Sequence, residues 1–383
     1  MSAVKILADQ NIPQVVDAFS DLGKVELAPG REITRSALLD CQCLITRTVT
    51  RVDRALLHDT PVEFVGTATI GTDHMDLDYL SQAGIGFSNA AGCNAEGASE
   101  YVLSGLFAIS MQKNLDPLTM RAGIIGYGNV GSRLYQKFAA MGIECLVCDP
   151  PLQEAENSSR DFVDIDTILR ECNLISLHVP LTHDGRHPTF HLLDARRLQS
   201  LNSGSLLINA ARGEVVDNMA LLELLKKRDD LHVFLDTWEN EPAVSRELLR
   251  RVDLATPHIA GYSVEGRLRG TQMVLDAASK HFDLPAKWHM SQQLPACREL
   301  TCPDTANLLG RLQGLFQQHC DIRRDHAAFV AGADFEDSAF ASHFDGLRKV
   351  FPDRLEYEHC IVSQVSNSET KLVLESLGFK IGG

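Results

Sequence analysis

Three polar residues, each just past a short apolar run, could carry chemistry in this chain. They are Arg212 in INAARGEVVD from Ile208, Glu241 in FLDTWENEP from Phe234, and His258 in TPHIAGYS from Thr256. Imidazole is the side chain whose ordinary pKa lies near neutrality, so His258 suits the acceptance and return of a proton. A carboxylate bonded to it, from Glu241, would fix the ring and favour its charged form. The planar fork of Arg212 matches a carboxylate and can polarise a neighbouring oxygen. Taken singly, each has an ordinary structural reading: a satisfied core histidine, an acid at a helix start, a surface ion-pair partner. Taken together, they are the base, the orienting acid and the anchor needed to remove hydride from C2 of a small 2-hydroxy acid.

A hydride needs an acceptor, and residues 126–131 read GYGNVG between the apolar Ile124, Ile125 and a helical pattern bearing Val130, Leu134, Phe138 and Met141 on one face. In that setting Gly126 permits the tight turn, Gly128 lets the backbone approach a pyrophosphate, and Gly131 allows close helix packing, with the helix N-terminus facing the negative charge. The next apolar run ends at Asp149, at about the offset of the acid that binds ribose hydroxyls in dinucleotide folds. Asp149 would repel a 2′-phosphate and is followed by Pro150 and Pro151 rather than by arginine, so NAD is expected over NADP. The alternative for Asp149 is an ordinary strand-ending turn residue.

Short apolar runs at 4–8, 43–45 and 64–65 alternate with helical patterns and predict a first, small parallel α/β domain. Residues 98–111 are apolar at nearly every turn, as in a buried helix. A second series of strands is expected at 143–148, 174–179, 205–210 and 232–235, with Asp217 as N-cap of the helix carrying Leu221, Leu224 and Leu225. Arg212, Glu241 and His258 then follow successive strands, at the end of a parallel sheet where ligands bind. A helix over 266–281 returns the chain to the first domain. The fold class expected is α/β: a Rossmann-type doubly wound parallel sheet domain inserted into a flavodoxin-like α/β substrate domain, plus a small α+β C-terminal domain. The expected bounds are 1–97 with 261–285 for the substrate-binding domain, 98–260 for the NAD-binding domain, and 286–383 for a C-terminal dimerisation domain. In that tail, helices are expected over 305–318 and 337–350 and a strand over 359–362.

Composition limits the alternatives. The 383 residues carry a net charge of −15, 44% hydrophobic and 23% charged residues. A duplex nucleic-acid binder is disfavoured, because phosphate affinity comes from clustered Lys and Arg. An anionic substrate must instead be drawn in by local arginines and backbone amides. The start MSAVKILADQ lacks the apolar stretch of a signal peptide, and no later window is long and apolar enough to span a bilayer, so a cytosolic address and no membrane partner are expected. Ten cysteines are too dilute for a disulfide scaffold. Cys145 and Cys148 form a CxxC inside a predicted strand, where such residues face opposite ways, and no second pair completes a metal site, so no metal is expected.

On these motifs, residues 4–281 resemble the D-isomer-specific 2-hydroxyacid dehydrogenase family. The resemblance implies that Arg212, Glu241 and His258 match its catalytic residues, with His258 as acid/base. It implies that Gly126, Gly128, Asn129, Val130, Gly131, Asp149, Val179, Ala210, Ala211, Arg212, Asp236 and Gly261 match cofactor-contacting positions. The segments ADQNIP from Ala8, RTVTRVD from Arg47, FVGTATIGTDHMDLDYL from Phe64 and NAAGCNAEGASEYV from Asn89 resemble one branch of the family. That branch acts on a phosphorylated 2-hydroxy acid in vitamin B6 biosynthesis and carries a C-terminal dimerisation domain of about this length. For this chain the branch implies a homodimer and substrate contacts at Thr48, Thr69 and Tyr262. Arg47 and Arg51 flank Thr48, and Arg267 and Arg269 follow Tyr262, as candidates for the phosphate. Two rivals stay open: a family member acting on another acid such as 3-phosphoglycerate, with the tail as an effector domain, and a non-catalytic NAD-sensing scaffold.

Overall fold

The computed structural model describes residues 4–155 and 161–382, and the chain divides into two compact units: 1–95 with 263–296, and 96–262 with 297–383. The first unit is built on five parallel strands, β1 (Val4–Asp9), β2 (Gly23–Ala28), β3 (Cys43–Thr46), β4 (Phe64–Thr67) and β5 (Gly86–Asn89), in the order β2-β1-β3-β4-β5. This is the flavodoxin-like order expected. Alternation along the strands sends Ile6, Ala8, Cys43, Ile45 and Phe64 into one apolar cluster and Leu7, Leu44 and Val65 into another, so both faces of the sheet are covered. The helix Val264–Phe282, capped by Ser263 accepting from the Gly266 amide, lays Val274, Leu275 and Ala278 into the first cluster. β2 and β5 were not expected: β2 is an edge strand bearing Lys24 and Glu26, and β5 is a half-buried Gly-Phe-Ser-Asn edge, so neither shows an apolar run.

The second unit holds six parallel strands, β6 (Arg121–Ile125), β7 (Glu144–Cys148), β8 (Leu174–Leu177), β9 (Leu206–Asn209), β10 (His232–Leu235) and β11 (Leu254–Ala255), in the order β11-β10-β9-β8-β6-β7. The order reverses at β6, which lies between β7 and β8. Such a switch point opens a crevice at the carboxyl ends of the strands. The helix Ala95–Lys113 buries Tyr101, Val102, Leu103, Leu106, Phe107 and Ile109. As expected, Asp217 caps the helix Asn218–Leu225 by accepting from the Ala220 amide at 2.8 Å.

The tail of the chain follows from residue 297. It has its own three-stranded parallel sheet, β12 (Arg298–Thr301), β13 (Cys360–Ser363) and β14 (Lys380–Ile381), yet it belongs to the second unit. The physical reason is a shared core: Phe329, Phe340 and Phe344 from the tail helices Ile322–Val330 and Asp337–Lys349, with Ala333 from the turn between them, cluster with Trp238, Val244, Leu248, Leu249 and Val252. Trp238 and Phe329 meet edge to face at 5.8 Å, and Phe329 meets Phe344 at 5.6 Å. Gly261 and Tyr262, expected with the substrate domain, also fall in the second unit, and the segment up to 296 falls in the first.

Candidate active site

The glycine turn follows β6 directly. Gly126 takes a left-handed φ of 92°, and a Cβ on Gly131 would lie 1.9 Å from the Gly126 carbonyl oxygen, so side chains are excluded where the helix Asn129–Ala140 packs against the turn. A Cβ on Gly128 would meet nothing, which leaves that face of the backbone open where Asn129 and Val130 begin the helix. Leu134 and Phe138 on the inner face are fully buried.

Asp149 stands one residue past β7, and its two oxygens are divided between two backbone donors. Oδ2 accepts from the Tyr127 amide at 2.7 Å, tying it to the middle of the glycine turn, and Oδ1 accepts from Leu152 at 3.1 Å, capping the short helix Pro150–Glu154. A carboxylate so held has lone pairs left for ribose hydroxyls, and the open face at Gly128 beside a helix N-terminus suits a pyrophosphate. These residues fit a dinucleotide.

Arg212, Glu241 and His258 each follow one of three neighbouring strands, β9, β10 and β11. His258 Nδ1 lies 2.8 Å from Glu241 Oε2, and the other oxygen, Oε1, accepts from the Trp238 amide at 2.9 Å. Burial pushes the Glu241 carboxyl up, but the positive charge and hydrogen bond of His258 and the Trp238 amide outweigh it and leave it below the ordinary glutamate value. An ionised Glu241 can only accept, so Nδ1 carries the proton and Nε2 is left as the basic nitrogen.

The backbone around His258 is strained and braced. Its φ is 55°, and its amide donates to the Asp236 carbonyl at 2.7 Å. Asp236 is fully buried: Oδ1 accepts from the Thr256 hydroxyl at 2.6 Å and the Ile259 amide at 2.9 Å, and Oδ2 accepts from the Ala260 amide at 2.9 Å. Burial raises its pKa despite these donors. The position singled out as a cofactor contact is thus part of the frame that holds the His258 turn.

Arg212 reaches the same neighbourhood through its backbone. The Asn209 side chain bridges the turn, donating to the Arg212 carbonyl at 2.9 Å and accepting from the Ala211 amide at 3.1 Å. Next to Arg212, a Cβ on Gly213 would lie 1.9 Å from the carbonyl carbon of Trp238, so this strand end lies directly against the segment leading to Glu241. The Arg212 side chain donates through Nη1 to the Ala211 carbonyl at 2.8 Å. Val179, Ala210 and Ala211 lie just beyond β8 and β9, and Gly261 follows the His258 turn.

Thr48 and Thr69 lie in the first unit, two residues past the neighbouring strands β3 and β4. Thr48 is exposed, and Thr69 shares a 2.8 Å hydroxyl contact with Thr67. Of the arginines considered for a phosphate, Arg47 is paired with the buried Asp9 at 3.0 Å, Arg51 is 85% exposed beside Asp53, Arg269 donates to the Cys93 carbonyl at 2.5 Å, and Arg267 is exposed. Cys145 is half-buried and Cys148 buried, and among the described residues no cysteine forms a disulfide and no group of three or more His, Cys, Asp or Glu could hold a metal.

Residues 98–260 match the family model for the D-isomer specific 2-hydroxyacid dehydrogenase, NAD binding domain. The chain is 43% identical over 381 residues to an erythronate-4-phosphate dehydrogenase of Chromohalobacter salexigens, covering 99% of each chain. It is 45% identical over 357 residues to one of Azotobacter vinelandii, covering 93% of each. Among solved structures, an NAD+-bound 3-phosphoglycerate dehydrogenase of Entamoeba histolytica aligns with a TM-score of 0.62 at 23% identity, covering 74% of this chain and 95% of that one. A D-lactate dehydrogenase of Aquifex aeolicus, complexed with NAD and lactic acid, aligns at 0.59 and 22%, covering 73% and 96%. At this identity the structural matches establish the fold.

Proposed function

Because the chain belongs to the erythronate-4-phosphate dehydrogenase family, within the D-isomer-specific 2-hydroxyacid dehydrogenases, we propose that it oxidises 4-phospho-D-erythronate to 2-oxo-3-hydroxy-4-phosphobutanoate with NAD, a step of pyridoxal 5′-phosphate biosynthesis. The observation that carries the chemistry is the 2.8 Å contact between His258 Nδ1 and Glu241 Oε2. It leaves Nε2 free to take a proton.

In this reading the Arg212 guanidinium grips the substrate carboxylate and polarises the C2 oxygen. His258 Nε2 accepts the C2 hydroxyl proton as the C2–H bond breaks, and Glu241 stabilises the imidazolium that results. Bound NAD supplies the hydride acceptor. The turn from Gly126 to Gly131, with Asn129 and Val130, holds the dinucleotide, and Asp149 takes the ribose hydroxyls. Val179, Ala210, Ala211 and Gly261 line the same strand ends. Asp236 acts by fixing the His258 turn, and Thr48, Thr69 and Tyr262 contact the substrate.

The same reading makes the protein a cytosolic homodimer with no nucleic-acid or membrane partner. Among the described residues no helix is long and apolar enough to cross a membrane, and the net charge of −15 opposes phosphate-backbone binding. Residues 1–97 with 261–285 serve as the substrate-binding part, 98–260 as the NAD-binding part, and 286–383 adds dimerisation. The deciding experiment measures NADH formation by the purified protein with 4-phospho-D-erythronate and, beside it, with D-3-phosphoglycerate. A preference for the four-carbon acid is expected, and a preference for 3-phosphoglycerate would overturn the assignment.

A further inference from the structure

A protein carrying −15 must offer a doubly charged phosphate a local cation. The arginines near Thr48 in sequence are paired or largely exposed, and the tail supplies another. Arg348, near the end of the helix Asp337–Lys349, places its guanidinium carbon 5.9 Å from the ring centroid of Tyr262 and 5.7 Å from that of Phe344. The two rings engage its faces, and its Nε is buried with no hydrogen-bond partner among the described residues. A buried guanidinium N–H without an acceptor is costly to leave unmade and suits an anion.

The same stretch of tail fixes the target. Arg354, 4% exposed, donates to the carbonyls of Tyr262 at 3.1 Å, Gly97 at 3.0 Å and Ala260 at 2.6 Å, while Phe351 meets the Tyr262 ring edge to face at 6.1 Å. The segment running from His258 to Tyr262 is therefore held by tail residues, with Arg348 over its far end. The charge of Arg348 is also felt at Glu241, where it helps keep the carboxyl low.

We propose that Arg348 receives the terminal phosphate of the substrate, so that the C-terminal segment sets which 2-hydroxy acid is turned over. The inference rests on the function proposed above. With C2 at His258, a phosphate on C4 lies roughly 4–5 Å further along the substrate by ordinary bond lengths, and Tyr262, four residues past His258, carries Arg348 over its ring. Arg354, three of whose N–H groups serve backbone carbonyls, is a positioning residue for the turn.

The test compares wild type, Arg348→Met and Arg348→Lys on 4-phospho-D-erythronate and on phosphate-free D-erythronate, with inorganic phosphate as a competing anion. Loss of a charge-assisted contact predicts that Arg348→Met raises KM for the phosphorylated acid about 10–100-fold, with a much smaller change in kcat. The discrimination between the two acids should fall by a similar factor, inhibition by phosphate should weaken, and Arg348→Lys should recover part of each. A role confined to packing would lower activity on both acids equally and leave phosphate inhibition intact. That result, or an unchanged KM, overturns the proposal. Wild type failing to reduce NAD with 4-phospho-D-erythronate would refute the parent reading instead, and the phosphate competition measured by equilibrium binding would still decide the role of Arg348.

Discussion

Replacing Glu241 by Gln removes one charge and one acceptor at a position where both are in use. Oε1 takes the Trp238 amide and Oε2 takes His258 Nδ1–H, so a glutamine, with a single carbonyl oxygen, must turn its NH2 toward one of these donors. If the amide keeps the oxygen, the imidazole faces a donor and shifts its proton to Nε2, the nitrogen needed as base. Two charges about 4 Å apart at an effective dielectric near 20 interact by about 4 kcal/mol. The His258 side chain is 34% exposed and Glu241 20%, so solvent reduces this toward the roughly 1.5–3 kcal/mol of a hydrogen bond to a charged group. Adding about 1 kcal/mol for the lost acceptor gives a fall in kcat/KM of about 10²–10³-fold. Initial rates of NADH formation measure this fall. A Glu241→Gln variant within threefold of wild type would refute the coupling of carboxylate and imidazole.

His258→Ala should reduce turnover by about 10²–10⁴-fold while the Kd for NAD, measured by fluorescence titration, stays unchanged; retained turnover would remove the imidazole from the mechanism. Asp149→Ala should weaken NAD binding about 10–100-fold and relax the exclusion of NADP, and an unaltered NAD/NADP ratio would show that the carboxylate is not on the ribose. Asp325 is pushed up to about 6 by burial, although the Tyr101 hydroxyl donates to it at 2.9 Å. A raised carboxyl stabilises the fold below its unfolded value, near 4, and this is lost as pH rises through about 6. Asp325→Asn, which keeps an acceptor for Tyr101, should therefore raise stability at neutral pH by about 1–3 kcal/mol and flatten this part of the pH dependence between about 4 and 6, read from denaturant midpoints. Equal slopes for the two proteins would contradict it.

The residues proposed for the chemistry stand out in the sequence because such a reaction would demand particular side chains at strand ends. Gly126, Gly128 and Gly131 are required by a turn and a close approach, and Asp149, Arg212, Glu241 and His258 each follow a buried apolar run. Strands without such a run were missed. β14 is two residues long, and β12 reads Arg-Glu-Leu-Thr with only Leu300 buried. The frame of the site was less visible, since its contacts join residues far apart in sequence. Thr256 to Asp236 spans 20 residues, and Arg354 to Gly97 spans 257. An isolated arginine in a tail carries no signal of the carbonyls it will meet. The tail's dependence on the second unit was hidden for the same reason, because Phe329, Phe340 and Phe344 look like the core of a self-contained helical domain until they are found against Trp238.

The interrupted first unit bears on how the chain is made. Its strands end by residue 95, but the helix that covers one face of them, through Val274, Leu275 and Ala278, begins at Val264. At about 5–20 residues per second, the ribosome needs roughly 10–30 seconds to synthesise the stretch between them. Throughout that interval Ile6, Ile45 and Phe64 lack their cover, so nascent chains stalled before residue 263 are the species most in need of a chaperone.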